Sequence, residues 1–183
     1  MRAKDTVRTE MKRKRNALGA VEKDALSEQT QRLAISATAF IEAKKVASYI
    51  STAKEVSTAI IHSECQRLSK LLVVPYESNR CYHFANMDEH TILTEGSFGI
   101  YEPASPQLVK TTELDVAFVP GLAFDRDGRR LGHGAGIFDE LLKEFTGIRI
   151  GLAFAFQCVE ELPEDPHDIR MDCVVNENGF FKE

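Results

Sequence analysis

Apolar residues recur along the chain with two periods, and the switches between them predict its elements. From Glu22 to Ala43, Leu26, Leu33, Ala37, Phe40 and Ile41 fall at helical spacing. Ahead of them Lys4 and Arg8 stand four apart, so they share a face if Ala3 to Ala17 is also helical. The short apolar run KKVASYIS, Lys44 to Ser51, reads as a strand, and Ser57 precedes a helical pattern through Ile60, Ile61, Cys65 and Leu68. KLLVVPY, Lys70 to Tyr76, predicts a buried strand that stops at Pro75. The stretch from Glu77 to Gln107 is mixed, with an edge strand expected at Cys81 to Met87 and a Gly/Pro-punctuated piece, GSFGIYEP.

The second half is clearer. LDVAFVP, Leu114 to Pro120, is a wholly apolar strand, and RDG (Arg126 to Gly128) signals a turn. Ile137, Leu141, Leu142 and Phe145 predict a helix, RIGLAFAFQCV (Arg149 to Val159) a buried strand, and MDCVVNENGFF a closing strand with a turn at Asn178-Gly179. Strands alternating with helices imply an α/β domain with a mostly parallel sheet. In such a sheet, ligands bind outside the carboxyl ends of the strands.

Composition narrows the class. A length of 183 residues suits a single domain, and 43% hydrophobic with 28% charged residues is ordinary for a soluble globule. No apolar run approaches the ~20 residues of a membrane span, and the opening MRAKDTVRTEMKRKR has no apolar core, so no secretory signal is expected. The four cysteines are widely spaced, which fits neither a zinc site nor a disulfide framework and favours small apolar fillers in a reducing, cytoplasmic setting.

The net charge of −5 conceals an asymmetry, because residues 1–15 hold seven basic and two acidic residues and the rest is acidic on balance. The basic start is a solvated helix face, a targeting peptide, or an arm that brings cations to an anionic ligand; its two acids disfavour targeting, and composition does not choose further. Net acidity elsewhere argues against a nucleic-acid partner.

The stretch RLGHGAGIFDELL, Arg130 to Leu142, places three of the chain's 11 glycines on alternate positions. Glycines permit positive φ and close approach, and a helix start adds unpaired N–H groups, so Gly132, His133, Gly134, Ala135 and Gly136 form a candidate phosphate nest. Arg130, immediately before it, adds a bidentate cation, and Lys4 and Arg8 could add more. The loop matches neither the P-loop nor the dinucleotide fingerprint, and a plain strand–helix connection remains the alternative. Asp139 in the first helical turn either offsets the helix dipole or, with Asp172, holds Mg²⁺ beside substrate phosphates; Asp172 is otherwise a strand-end residue. No histidine or cysteine pair suggests a zinc site, no G-x-S-x-G elbow is present, and His167 reads as a cap or turn residue.

The string VPGLAFDRDGRRLGHGAGIFDELL resembles the signature of the 5-formyltetrahydrofolate cyclo-ligase family. Lys4-x-x-x-Arg8 with Arg15, SYISTAKEVST, FGIYEP and the closing segment from Ala153 extend the likeness over nearly the whole chain. The resemblance implies one three-layer α/β/α domain over residues 1–183, with the basic first helix packed on it. It implies an ATP- and Mg²⁺-dependent enzyme that phosphorylates the formyl oxygen of 5-formyltetrahydrofolate and closes it to 5,10-methenyltetrahydrofolate. Carried over by position, Lys4, Arg8, Arg130, the segment Gly132 to Gly136 with His133 and Ala135, and Phe138 contact ATP. Arg130 and Lys4 take the catalytic, charge-neutralising role, Glu55 bonds the pterin, Ile50 and Ile137 line the folate pocket, and Asp139 and Asp172 hold Mg²⁺. A monomer acting on a small molecule is expected.

Ile137 and Phe138 stand where the family usually has two tyrosines, and Ala135 where glycine or lysine is common. Ile137 and Ala135 motivate an alternative, a non-catalytic relative that binds folate or nucleotide.

Overall fold

Eight strands form the central sheet of the computed structural model, which describes residues 3–182. The chain enters through helices α1 (Ala3–Ala17), α2 (Ala20–Ser36) and α3 (Thr38–Glu42), then strand β1 (Lys45–Ala47) and helix α4 (Ala59–Arg67). Strands β2 (Leu71–Ser78), β3 (Cys81–Asn86), β4 (Leu93–Glu95), β5 (Tyr101–Pro103), β6 (Leu108–Val109) and β7 (Val116–Pro120) follow. A small hairpin, β8 (Ala123–Phe124) and β9 (Arg130–Leu131), leads through the glycine loop to α5 (Ile137–Leu141). Strands β10 (Ile148–Leu152), β11 (Cys173–Asn176) and β12 (Gly179–Lys182) complete the chain.

The sheet order is β12-β11-β10-β7-β1-β2-β3-β6. The five strands from β11 to β2 run parallel, and β12, β3 and β6 pair antiparallel at the margins. Val46, Val116, Phe118, Val119, Ile150, Leu152 and Val174 are buried, as strands covered on both faces require. That is why they read in the sequence as unbroken apolar runs.

The direction of travel along the sheet fixes where a ligand can sit. The connection β1–α4–β2 advances one way and β7–α5–β10 the other. With right-handed crossovers, α4 and α5 therefore lie on opposite faces, giving three layers. Adjacent β1 and β7 lead in opposite directions, so a crevice opens between their carboxyl ends. Helix α1 lies outside these layers, its Met11 buried against Leu122, Ala123, Leu131 and Leu162.

Several elements depart from the sequence pattern. The helical pattern of Glu22 to Ala43 is interrupted at Ala37 (ψ 136°), where Ser36 Oγ bonds back to the Leu33 carbonyl and competes with the helical ladder. Strand β2 continues through Pro75, which is paired with Phe84. The backbone N–H of Glu77, two residues on, points away from β3 to Glu102, so Pro75 lacks its donor on the side where the ladder needs none. Strand β3 is covered at Phe84 and Ala85 by β6, so it is next to the edge rather than on it. Helix α5 has only five residues, and Phe145 is buried through a following turn. Cys65 is a buried filler, but Cys81 is exposed and Cys158 and Cys173 are half-buried.

Candidate active site

The hairpin that carries Arg130 is built around one buried carboxylate. Asp125 is fully buried; its Oδ1 accepts from the backbone N–H groups of Asp127 and Arg129, and its Oδ2 from Leu162 N–H and the Arg129 guanidinium. This satisfies a turn that would otherwise carry unpaired donors, and it pins β9 beside β8. Arg130 consequently projects inward with only 5% of its side chain exposed. Its Nη2 donates to Asp139 Oδ1 at 2.7 Å and its Nη1 to the Pro120 carbonyl at 3.4 Å. Its Nε is buried without an acceptor among the described residues.

The loop that follows is open. Gly134 (φ +109°) and Gly136 (φ +72°) take left-handed backbone conformations that side chains resist. No backbone N–H from Gly132 to Gly136 donates a hydrogen bond within the described residues. Arg8 reaches over from α1, its Nε donating to the Gly132 carbonyl at 3.1 Å, and its guanidinium lies beneath Gly134. The nest thus consists of loop amides and guanidinium groups. The helix-dipole contribution expected from the sequence is small, because α5 is short and carries Asp139 and Glu140 in its first turn.

These groups wall a cavity of about 810 Å³ at the crevice between β1 and β7. Tyr49, Ile50, Thr52 and Glu55 enter after β1, Pro75 to Glu77 from β2, and Pro120 from β7. Lys4, Arg8, Arg130, the whole of Gly132 to Gly136, Ile137, Phe138 and Asp139 also line it, so the fold brings together all but one of the residues singled out in the sequence. The exception is Asp172. It sits one residue before β11, outside the cavity, and its two oxygens accept from Arg149 Nε at 2.8 Å and Nη2 at 3.1 Å. Its carboxylate pairs with Arg149, as that of Asp139 pairs with Arg130, and it is not among the residues that line the cavity. Among the described residues no three His, Cys, Asp or Glu side chains converge on a metal position.

Other lining residues were not evident from the sequence. Asp165, His167 and Asp168 come from the irregular segment before β11, and Lys4 is held by Asp165 at 2.8 Å and by Asp168. Burial opposes the Lys4 charge, but the two carboxylates outweigh it and hold its pKa above the usual value. His167 is in a turn, as expected, yet also reaches the cavity. Glu77 and Glu102 line the opposite wall; Glu77 Oε2 is buried without a partner, and Glu102 Oε2 accepts from Glu77 N–H at 3.0 Å. Nothing in LLVVPYES distinguishes Glu77 from a solvated charge; only the extension of β2 past Pro75 aims it inward.

Glu55 closes the turn after β1. Its Oε2 accepts from the Thr52 N–H and hydroxyl, both at 2.9 Å, and Oε1 has no protein partner among the described residues. Burial, then the charges of Arg15, Lys12 and Arg130, push the His133 pKa below its usual value against the pull of Glu55. The cavity therefore combines loop amides and guanidinium groups with the unpaired carboxylate oxygens of Glu55 and Glu77. It can take a ligand that is anionic at one end and rich in N–H donors at the other.

Comparison with known proteins identifies the family. Residues 1–177 match the model of the 5-formyltetrahydrofolate cyclo-ligase family. The chain is 30% identical to the mouse 5-formyltetrahydrofolate cyclo-ligase over 97% of its length and 95% of the relative's. It is 30% identical to the Haemophilus influenzae protein of that name, covering 89% of this chain and 91% of that one. The solved structure of Aquifex aeolicus 5,10-methenyltetrahydrofolate synthetase superposes with a TM-score of 0.89 at 34% identity, over 98% of this chain and 92% of that one.

Proposed function

The chain belongs to the 5-formyltetrahydrofolate cyclo-ligase family, and from that premise we propose that it converts 5-formyltetrahydrofolate to 5,10-methenyltetrahydrofolate at the expense of ATP. The observation that carries the reading is the loop from Gly132 to Gly136, whose N–H groups lack protein acceptors and face the same cavity as Arg8 and Arg130. An unpaired buried guanidinium nitrogen beside open amides is costly in the empty protein and becomes favourable once phosphate oxygens fill the space.

In this reading the formyl oxygen attacks the terminal phosphorus of ATP and ADP departs. Nitrogen 10 then attacks the activated formyl carbon and gives up its proton to the departing phosphate or to water, and the phosphate leaves with that oxygen. An amide-like oxygen is a poor leaving group and a phosphate a good one, so the protein needs no nucleophile of its own. Its work is to position the reactants and neutralise charge. Arg130 and Arg8 hold phosphate oxygens against the loop amides, and Lys4 is positioned beside them by Asp165 and Asp168. Oε1 of Glu55 accepts from an N–H of the pterin, and Ile50 and Ile137 pack against the folate ring.

Mg²⁺ would supply charge neutralisation on the triphosphate, held by Asp139 together with phosphate oxygens and water, a set that suits an ion needing only one or two carboxylates. Four cysteines without disulfides support a reducing, cytoplasmic setting. Among the described residues no helix is long and apolar enough to cross a membrane. The test is direct: purified protein with ATP, Mg²⁺ and 5-formyltetrahydrofolate should generate the absorbance of the methenyl product with one ADP per turnover. Binding of both ligands without turnover would favour the non-catalytic alternative.

A further inference from the structure

A second cleft lies beside the main cavity, between helix α1 and the turn after β1. It has a volume of about 490 Å³ and is lined by Lys12, Arg15, Asn16, Thr52 to Lys54 and His133. Thr52 and His133 line both spaces, so the two communicate. Every charged side chain in the cleft is basic.

The cations here differ from their neighbours on α1. Lys4, Arg8 and Lys14 each have an acid: Asp165 and Asp168, Asp5, and Glu10. Lys12, Arg15 and Lys54 have none among the described residues. Arg15 is the telling one, because its residue is only 9% exposed and its Nε is buried without an acceptor. Its Nη1 lies 3.4 Å from His133 Nε2, and an imidazole brings no negative charge. Glu55 is near enough to feel the charge, but its Oε2 is taken up by Thr52. A guanidinium this far from water with no carboxylate within ion-pair distance among the described residues is an expensive arrangement, and in proteins such a charge is ordinarily matched by an opposite one.

We propose that this cleft is an anion-binding subsite, in which Arg15, Lys12 and Lys54 take a carboxylate or phosphate group of a ligand that extends past Thr52 and His133 from the main cavity. Only the naming of that ligand rests on the function proposed above: the anion is then either a carboxylate of the folate's glutamyl end or part of the nucleotide's phosphate chain. Binding itself can be measured without turnover.

The experiment is calorimetric titration of the full-length protein, at low ionic strength, with pyrophosphate and separately with a short oligoglutamate peptide. The wild type should bind at least one of them, and Arg15→Met, Lys12→Met and Lys54→Met should each weaken that binding at least fivefold. Lys12 and Lys54 are exposed, so their variants report even if Arg15→Met fails to fold. A loss confined to the peptide identifies the carboxylate source, and a loss confined to pyrophosphate the phosphate source. If neither probe binds the wild type below 10 mM on the order of a weak subsite, or if the lysine variants bind as the wild type does, the proposal is overturned. Methenyl formation by the wild type is scored separately, so failure of the subsite is distinguishable from failure of the catalytic reading.

Discussion

Arg130 Nη2 donates to Asp139 Oδ1 at 2.7 Å, so the guanidinium expected on the triphosphate and the carboxylate expected on Mg²⁺ are each other's partner. The pair is well shielded, with Arg130 5% and Asp139 28% exposed. Under the proposed function this one contact would couple nucleotide and metal binding, because a cation that draws Asp139 away would free Arg130 for phosphate. Arg130→Ala is expected to weaken Mg·ATP binding at least tenfold, about 1.4 kcal/mol, with the fold retained. Arg130→Lys should recover little, because an ammonium cannot span Asp139, the Pro120 carbonyl and a phosphate as a planar fork does. Calorimetry on both variants checks this, and wild-type affinity in either would remove Arg130 from the site.

The loop's backbone conformation offers a separate handle. A side chain at Gly134 or Gly136 forces positive φ on an L-residue, at about 1–2 kcal/mol. Gly134→Ala and Gly136→Ala should lower nucleotide affinity several-fold by tilting the amides. Gly19→Ala, at a position with negative φ and open space, should leave it unchanged. Equal affinities in all three variants would mean that the loop amides do not hold the ligand.

Asp125 lies outside the cavity yet holds the hairpin that presents Arg130. Asp125→Ala leaves the N–H groups of Asp127, Arg129 and Leu162 without their carboxylate, while Arg129 keeps Asp127 and Glu164, and a loss of about 2 kcal/mol or more is expected in urea unfolding. Activity should fall more steeply than the folded fraction, because β9 is no longer pinned. A loss under about 1 kcal/mol would show that water replaces the carboxylate.

His62 makes stability depend on pH. Half-buried on α4 with its Nε2 3.0 Å from Ser48 Oγ, it has its pKa lowered from 6.5 to about 4 by loss of solvent, against an opposing hydrogen bond with the Tyr49 backbone. The folded protein keeps the ring neutral, whereas the unfolded chain takes up a proton as the pH falls through 6.5. Its contribution is whole above that pH and declines toward pH 4, by at most about 1.4 kcal/mol per pH unit. Urea midpoints at pH 7.5, 6 and 5 should show a shallower decline in His62→Gln than in the wild type.

Thiol reactivity separates the cysteines. Burial pushes Cys65 up to about 12 despite nearby Lys70, whereas Cys81 is exposed at the start of β3. Iodoacetamide at pH 8 should label Cys81 in the native protein and Cys65 only after unfolding, as read by peptide mass spectrometry. Native labelling of Cys65 would contradict its burial.

The sequence by itself determined the strands of the sheet centre, because residues buried on both faces must be apolar without interruption. It also marked the glycine loop, because alternate glycines followed by an amphipathic run have a local conformational meaning. Tertiary structure decided what the charges do. Asp139 and Asp172 look alike in the chain, but Asp172 pairs with Arg149 away from the cavity and Asp139 with Arg130 at its lining. Arg15 reads as one more cation in a basic helix until the fold buries it without an acid. Glu77 reads as a surface charge until β2 runs on past Pro75. The reason is physical: backbone conformation and burial follow from neighbours along the chain, whereas the state of a charge is set by whatever distant segment the fold brings within a few ångströms.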